Sequence, residues 1–162
     1  MKVFHLRRIQ QLPVTLEEAW AFFSSPRNLA AITPTHMKFK ILHITGDDKM
    51  YEGQMISYKI GVLPFYQASW VTEITHVRSP HFFVDEQRHG PFALWHHEHR
   101  FEKINGGVEM TDEVTYALPL GPLGLLAHPL FVKRELNRIF EYRFQALEKL
   151  FPQPEVSIFK IS

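Results

Sequence analysis

The sequence predicts an α+β domain in which a curved antiparallel sheet of six to seven strands wraps a long C-terminal helix, with two short helices following the first strand. Three observations carry this. Across residues 38–118, apolar and polar positions alternate in short runs separated by Gly, Pro and Asn breakers. Residues 129–150 instead repeat their apolar positions at helical spacing. Ahead of both, Thr15 and Ser25 mark two helix starts in close succession.

The elements follow in chain order. Residues 2–12 form a strand, with Val3, His5, Arg7 and Ile9 on one side and Phe4, Leu6, Arg8 and Gln10 on the other; Pro13 closes it. Thr15 and Glu18 make a capping box, each side chain satisfying a free N–H at the helix start, so residues 16–23 form a short helix. Ser25 as N-cap and Pro26 at the first position start a second short helix, which runs to about Ala31 and is stopped by Thr33-Pro34. Residues 38–44 and 52–60 are strands flanking the Gly46-Asp47-Asp48-Lys49 loop, and residues 61–64 turn the chain. Four more strands cover residues 67–77, 82–89, 93–104 and 108–118, joined by Ser79-Pro80, Gly90-Pro91 and the hairpin turn Asn105-Gly106-Gly107. Connections this short imply an antiparallel meander.

Pro119-Leu120-Gly121-Pro122-Leu123-Gly124 is a breaker-rich entry to the final helix, which starts near Pro129 and ends at about Leu150, before Pro152 and Pro154. Val132, Leu136, Ile139, Phe140, Leu147 and Phe151 form its buried face; Lys133, Arg134, Asn137, Arg138, Glu141, Gln145 and Glu148 form the other. Arg143 joins Arg134 and Arg138 on the exposed side, where Glu141 is a local partner. Residues 118–129 read equally well as a lid or as a plain connection, and residues 156–161 as an edge strand or a loose tail.

The 162 residues show no repeat and no dividing linker, so residues 1–162 are read as a single domain. A chain this long buries roughly 68–70% of the surface its unfolded form exposes, enough for a true core. Its 14 Phe, 5 Tyr and 3 Trp suit a packed core or a cavity wall. Eighteen basic and 17 acidic residues are mixed along the chain for a net charge of +1, which argues against a nucleic-acid partner. The absence of cysteine excludes disulfides, thiolate metal sites and a cysteine nucleophile. Charges interrupt the N-terminus where a signal peptide needs its apolar run, and no stretch of ~18 apolar residues occurs, so a cytoplasmic location without stable membrane insertion is expected.

Ser25-Pro26-Arg27-Asn28-Leu29 with Ile32-Thr33-Pro34, Phe83-Val84-Asp85-Glu86-Gln87 with Gly90-Pro91-Phe92, Trp95-His96-His97-Glu98-His99-Arg100-Phe101, Gly106-Gly107 and Met110-Thr111-Asp112 resemble a small bacterial cyclase/dehydratase-like subgroup of the START-like (SRPBCC) superfamily. The resemblance covers essentially the whole chain. It implies the helix-grip fold of lipid-transfer domains, plant ligand-binding allergens and polyketide cyclase/dehydratase-type proteins, with a hydrophobic cavity between sheet and helix. Fold likeness by itself assigns no reaction.

Strand alternation then selects candidate site residues. Trp95, His97, His99 and Phe101 share a face, as do Val108, Met110, Asp112, Val114 and Tyr116, and in the preceding strand Phe83, Asp85, Gln87 and His89. The apolar members mark these faces as inward, which brings Asp85, Gln87, His97, His99 and Asp112 among aromatic rings. Trp70 and Glu73 could line the same space or its rim. Such a set is either a network satisfied within itself or the polar end of a ligand pocket. His97-Glu98-His99 also has the spacing of two metal-ligating imidazoles, with Asp85 or Asp112 as a further ligand, and matches part of a cupin motif. The long C-terminal helix and the missing second motif argue against a cupin, so no metal or other cofactor is expected.

The reading is a domain that binds a small hydrophobic or amphipathic molecule, including lipid-like ligands, with Trp70, Asp85, Gln87, Trp95, His97, His99, Asp112 and Tyr116 nearest its polar part. Two alternatives stand beside it. One is a cofactor-free, lyase-type enzyme of polyketide cyclase/dehydratase kind, with His97 as general base beside Asp85 or Asp112. No motif positions a nucleophile with them, which favours a binding domain over an enzyme. The other is a carrier of lipid-like cargo.

Overall fold

The structure, a computed structural model, describes residues 1–63 and 66–152. The segment 156–161, read as an edge strand or tail, and Pro64 lie outside the described residues. The strands are β1 (Val3–Leu12), β2 (Lys40–Ile44), β3 (Gln54–Leu63), β4 (Tyr66–Arg78), β5 (Phe82–His89), β6 (Leu94–Ile104) and β7 (Gly107–Ala117), and the helices α1 (Leu16–Phe23), α2 (Pro122–Ala127) and α3 (Lys133–Leu150). The seven strands form one antiparallel sheet in the order β1-β7-β6-β5-β4-β3-β2. Strands β2 to β7 are the expected meander. β1 closes the other edge against β7, Val3 opposite Ala117 and Leu12 opposite Val108.

Local chemistry explains most element ends. The Thr15 hydroxyl accepts a hydrogen bond from the Glu18 N–H at 3.2 Å while the Glu18 carboxylate accepts from the Thr15 N–H at 2.8 Å, so α1 begins on the expected capping box. The second short helix differs. Pro26–Ile32 is a 3₁₀ segment without a side-chain cap from Ser25, and a further 3₁₀ turn, Thr35–Met37, follows Pro34. The tighter i→i+3 pattern suits a piece confined between two prolines. Residues 61–64 were expected to turn, yet β3 continues to Leu63 through a register shift after Gly61.

The C-terminal helical region starts earlier than the sequence suggests. α2 begins at Pro122 and a π-turn, His128–Val132, joins it to α3. Proline is accepted at a first helical position because the missing N–H would be unpaired there. Pro129 falls inside the π-turn, whose wider spacing accommodates the lost hydrogen bond.

Sheet curvature has an identifiable source. β7 pairs with β1 and with β6 in unbroken register, whereas β2·β3, β3·β4 and β4·β5 each carry register shifts. Extra residues bend a strand and increase its twist, so one half of the sheet curls over the other. α3 lies in the resulting groove, with the Gln10 amide donating to the Phe144 carbonyl at 3.0 Å.

Two apolar clusters fill the groove. One joins Leu12, Leu16, Ala19, Phe23, Phe83, Phe101 and Leu147; the other joins Ile56, Tyr58, Trp70, Ile74, Trp95, Val114, Tyr116, Leu136 and Phe140. β6, β7 and α3 contribute buried residues to both. β6 supplies Phe101 to the first and Trp95 to the second, and α3 supplies Leu147 and Phe140. What lies between these pairs is polar.

Candidate functional site

Period-two alternation along β6 puts His97 and His99 between Trp95 and Phe101 on the inner face, and β7 puts Asp112 between Met110 and Val114. Register completes the layer. Asp85 lies opposite His97, and His99 opposite Asp112. Helical spacing adds a fifth member, because Leu136, Phe140, Arg143 and Leu147 fall on one stripe of α3 and all are buried.

Arg143 is therefore a correction to the exposed position assigned from sequence. It is only 8% exposed, and its guanidinium lies 3.5 Å from an Asp112 oxygen. The signal was present in the chain. Arg143 follows Phe140 by three positions and precedes Leu147 by four, which is core spacing, but its charge suggested the opposite face.

The five side chains interlock. His97 Nε2 is 3.1 Å from Asp112 Oδ1, and His97 Nδ1 is 3.4 Å from Asp85 Oδ2. His99 Nε2 is 2.9 Å from the same Asp85 oxygen. His99 Nδ1 lies 2.8 Å from Asp112 Oδ1 but is not aligned with it for a hydrogen bond. Asp112 is 1% exposed and His97 and His99 are buried with it.

Electrostatics separates the two imidazoles. Burial and the neighbouring His99 hold His97 below the ordinary histidine value, outweighing the carboxylates beside it. Burial also pulls His99 down, but its contacts with Asp112 and Asp85 win and raise it. Burial works to raise both carboxylic acids. Asp85 is nonetheless lowered by His97, His99 and Arg143, and Asp112 is held well below its usual range by Arg143 and the two imidazoles.

Beside this layer is a cavity of about 670 Å³ between the sheet, α3 and the segment joining β7 to α3. Its wall is mainly aromatic and aliphatic, with Phe39, Tyr58, Trp70, Phe92, Trp95 and Phe140 prominent. Asp85, His97, His99 and Arg143 form its polar end. Two buried donors in wall residues, Trp70 Nε1 and Arg143 Nε, have no hydrogen-bond partner. The Tyr58 hydroxyl is paired with Thr72 Oγ1 at 3.2 Å, and burial pushes its acidity further from neutrality.

Of the residues named from sequence, Trp70, Asp85, Trp95, His97 and His99 line the cavity. Asp112 sits behind the imidazoles rather than in the wall. Tyr116 is also behind the wall, hydrogen-bonded to His128 Nε2 at 2.8 Å. Gln87 does something different: its amide donates to the Phe92 carbonyl at 2.7 Å and its carbonyl oxygen accepts from the Phe92 N–H at 3.2 Å, which clasps the β5–β6 connection. Glu73 faces outward and pairs with Arg88 at 2.5 Å. Alternation gives the face of Asp112, Tyr116 and Gln87 correctly but not their reach, whereas Glu73 corrects the expectation of a place in the wall or rim, since it alternates with the inward Thr72 and Ile74 of β4.

The connection after β7 covers one side of the cavity. Leu118, Leu120, Leu123, Ala127, Phe131 and Val132 contribute to the wall, while Leu123, Leu126 and Leu130 are 68%, 67% and 78% exposed. His128 anchors this cover by its bond to Tyr116 and by stacking on Phe4, ring centres 3.5 Å apart. Among the described residues no helix is long and apolar enough to cross a membrane.

No protein-family model matches the chain, and no curated protein matches it. Solved structures do match. The Zhui aromatase/cyclase from Streptomyces sp. R1128 aligns with a TM-score of 0.72 at 12% identity, over 92% of this chain and 93% of that one. Ara h 8.0201 aligns with a TM-score of 0.63 at 14% identity, over 93% and 98%. The protein Ms6760 from Mycobacterium smegmatis aligns with a TM-score of 0.64 at 15% identity, over 93% and 96%. At such identities the likeness establishes the fold alone, the helix grip expected from the resemblance of the sequence motifs.

Proposed function

We propose that this helix-grip domain binds one small amphipathic molecule between the sheet and α3, its apolar body against the aromatic wall and a hydrogen-bond acceptor at its polar end. The observation that carries this reading is the pairing of a cavity of about 670 Å³ with two buried, unpartnered donors in its wall, Trp70 Nε1 and Arg143 Nε. Cavities of roughly 300–1,000 Å³ with few convergent polar groups are the usual form of small-molecule sites. A buried donor left without a partner costs about 1–3 kcal/mol, so an acceptor there is favoured beyond the apolar contacts. Asp85, His97 and His99 border the same end and would orient the ligand's polar part. The cytoplasm remains the expected location.

Titration with anilinonaphthalene sulfonate, an apolar dye bearing an anionic acceptor, tests this. Saturable one-to-one binding is expected, with quenching of Trp70 and Trp95 emission. Ile139→Trp, which fills the cavity beside Phe140, should abolish the binding in a folded protein. Non-saturable binding, or binding indifferent to Ile139→Trp, would overturn the proposal.

A second reading is favoured by one observation, the imidazole of His97 held below its ordinary value in the cavity wall with Asp112 behind it. A neutral imidazole oriented by a carboxylate is equipped to take a proton from a substrate. The fold is shared with an aromatase/cyclase. Unchanged product formation by His97→Ala on an aromatising polyketide substrate would eliminate this reading.

A further inference from the structure

The layer between the two apolar clusters is built in two tiers, and the tiers differ in chemistry. His97, His99 and Asp85 all line the cavity, and one imidazole nitrogen from each histidine and a carboxylate oxygen of Asp85 lie within 4.8 Å of one another. Behind them is Asp112, with His97 Nε2 at 3.1 Å and His99 Nδ1 at 2.8 Å from a single oxygen. Each imidazole thus turns one nitrogen toward Asp85 and the other toward Asp112.

The geometry points to a binding site for a divalent first-row transition ion, zinc or iron, formed by His97 Nδ1, His99 Nε2 and Asp85 Oδ2 with Asp112 as the carboxylate behind them that positions His97. The spacing is suitable. Ligands about 2.0–2.1 Å from a tetrahedral ion lie about 3.3 Å from each other, and the two imidazole nitrogens stand 3.4 and 2.9 Å from the Asp85 oxygen. Two imidazoles and one carboxylate are the donor set of open catalytic sites that hold zinc or non-haem iron. Metal-bound histidines nearly always direct their remote nitrogen to a carboxylate, carbonyl or water; Asp112 takes that place for His97, and His99 Nδ1 lies 2.8 Å from the same oxygen without hydrogen-bond alignment.

The charge balance is compatible with the assignment. With neutral imidazoles, Asp85, Asp112 and Arg143 leave one net negative charge in the interior, and an uncompensated buried charge is costly. Either a proton on an imidazole or a divalent cation compensates it. All three ligand residues line the cavity, so the ion's remaining coordination positions would open toward whatever occupies it. Sequence offers Asp85 or Asp112 as the further ligand, while the long C-terminal helix and the missing second motif argue against a cupin; the register places Asp85 of β5 opposite His97, and no second motif is needed. This inference does not rest on the identity, or the existence, of an organic ligand.

The test uses the full chain after dialysis against a chelator, titrated with Co²⁺ while d–d absorption is followed, with Zn²⁺ and anaerobic Fe²⁺ as competitors and Mg²⁺ as the hard-cation control. One equivalent of Co²⁺ should bind with a tetrahedral or five-coordinate spectrum and be displaced by Zn²⁺ or Fe²⁺ but not by Mg²⁺. His97→Ala and His99→Ala should each weaken binding at least 100-fold, and Asp112→Asn roughly 10–100-fold while keeping the one-to-one stoichiometry. Asp85→Asn, similar in size, gives the same loss should an alanine variant fail to fold. A second cluster, His96 with Glu86 and Glu98, lies on the outer face, His96 Nδ1 2.8 Å from Glu86. His96→Ala should leave binding intact. No Co²⁺ binding below millimolar concentration, or binding lost in His96→Ala and kept in His99→Ala, overturns the assignment.

Discussion

Arg143→Met keeps much of the volume of a buried side chain on α3 and removes its charge. The guanidinium lies 3.5 Å from Asp112 Oδ1, with 10% and 1% of the respective side chains exposed. At that separation and an effective dielectric constant of about 20, the attraction between unit charges is about 5 kcal/mol. Loss of one partner from a buried pair costs about 3–5 kcal/mol, because the remaining charge stays desolvated. The contacts of Asp112 with His97 and His99 soften the effect, so the lower half of that range is expected. Urea denaturation followed by tryptophan fluorescence should show a lower midpoint with an unchanged slope, and Tm should fall by roughly 6–15 °C, taking about 2–4 °C per kcal/mol for a chain of this size. Arg138→Met is the control. Its partner Glu135 is 3.2 Å away, but the Arg138 side chain is 64% exposed, so the cost should stay within about 0.5 kcal/mol. Adding Asp112→Asn to Arg143→Met should recover part of the loss, the two changes being coupled through one contact. A cost below about 1 kcal/mol for Arg143→Met, or strict additivity with Asp112→Asn, would refute the pairing from which the charge balance of the site was drawn.

Leu147→Ala at a fully buried position should cost about 2–5 kcal/mol in chemical denaturation, whereas Leu126→Ala on the exposed cover should stay within about 0.5 kcal/mol. Trp70→Phe removes an unpartnered buried donor, so stability of the ligand-free protein should be kept or rise while dye affinity falls; a fall in stability with unchanged dye binding would show that the Nε1–H is already satisfied. His128 is held below the ordinary histidine value by burial and by Lys133 and Lys2. A depressed value means that the fold favours the neutral ring, so this stability is complete above about pH 6.5 and is lost as pH falls through the lowered value. The difference in urea midpoint between the parent protein and His128→Phe should therefore shrink on acidification from pH 7, and parallel pH profiles would rule the effect out.

Much of the architecture was legible because its causes are local. Pro13, the Thr15–Glu18 box, Pro152 and the Gly106 turn, whose φ of 84° suits glycine, act within a few residues, and period-two alternation places inner faces without knowledge of neighbouring strands. Element lengths were less legible where two local signals compete, as at Gly61 and Pro129, since a bulge or a wider helical turn absorbs a residue that otherwise reads as a breaker.

By itself, then, the sequence determined the order of elements, the helix-grip class and the inward face carrying Asp85, His97, His99 and Asp112. Tertiary structure alone decided which of these border the cavity. Register set Asp85 against His97 and His99 against Asp112, the groove brought Arg143 from a distant helix onto Asp112, and the β5–β6 connection captured Gln87. The physical reason is range: helix caps, turns and side-chain alternation are set by neighbours in the chain, whereas the partner of a buried charge is whatever the packed sheet and helix place within a few ångströms of it.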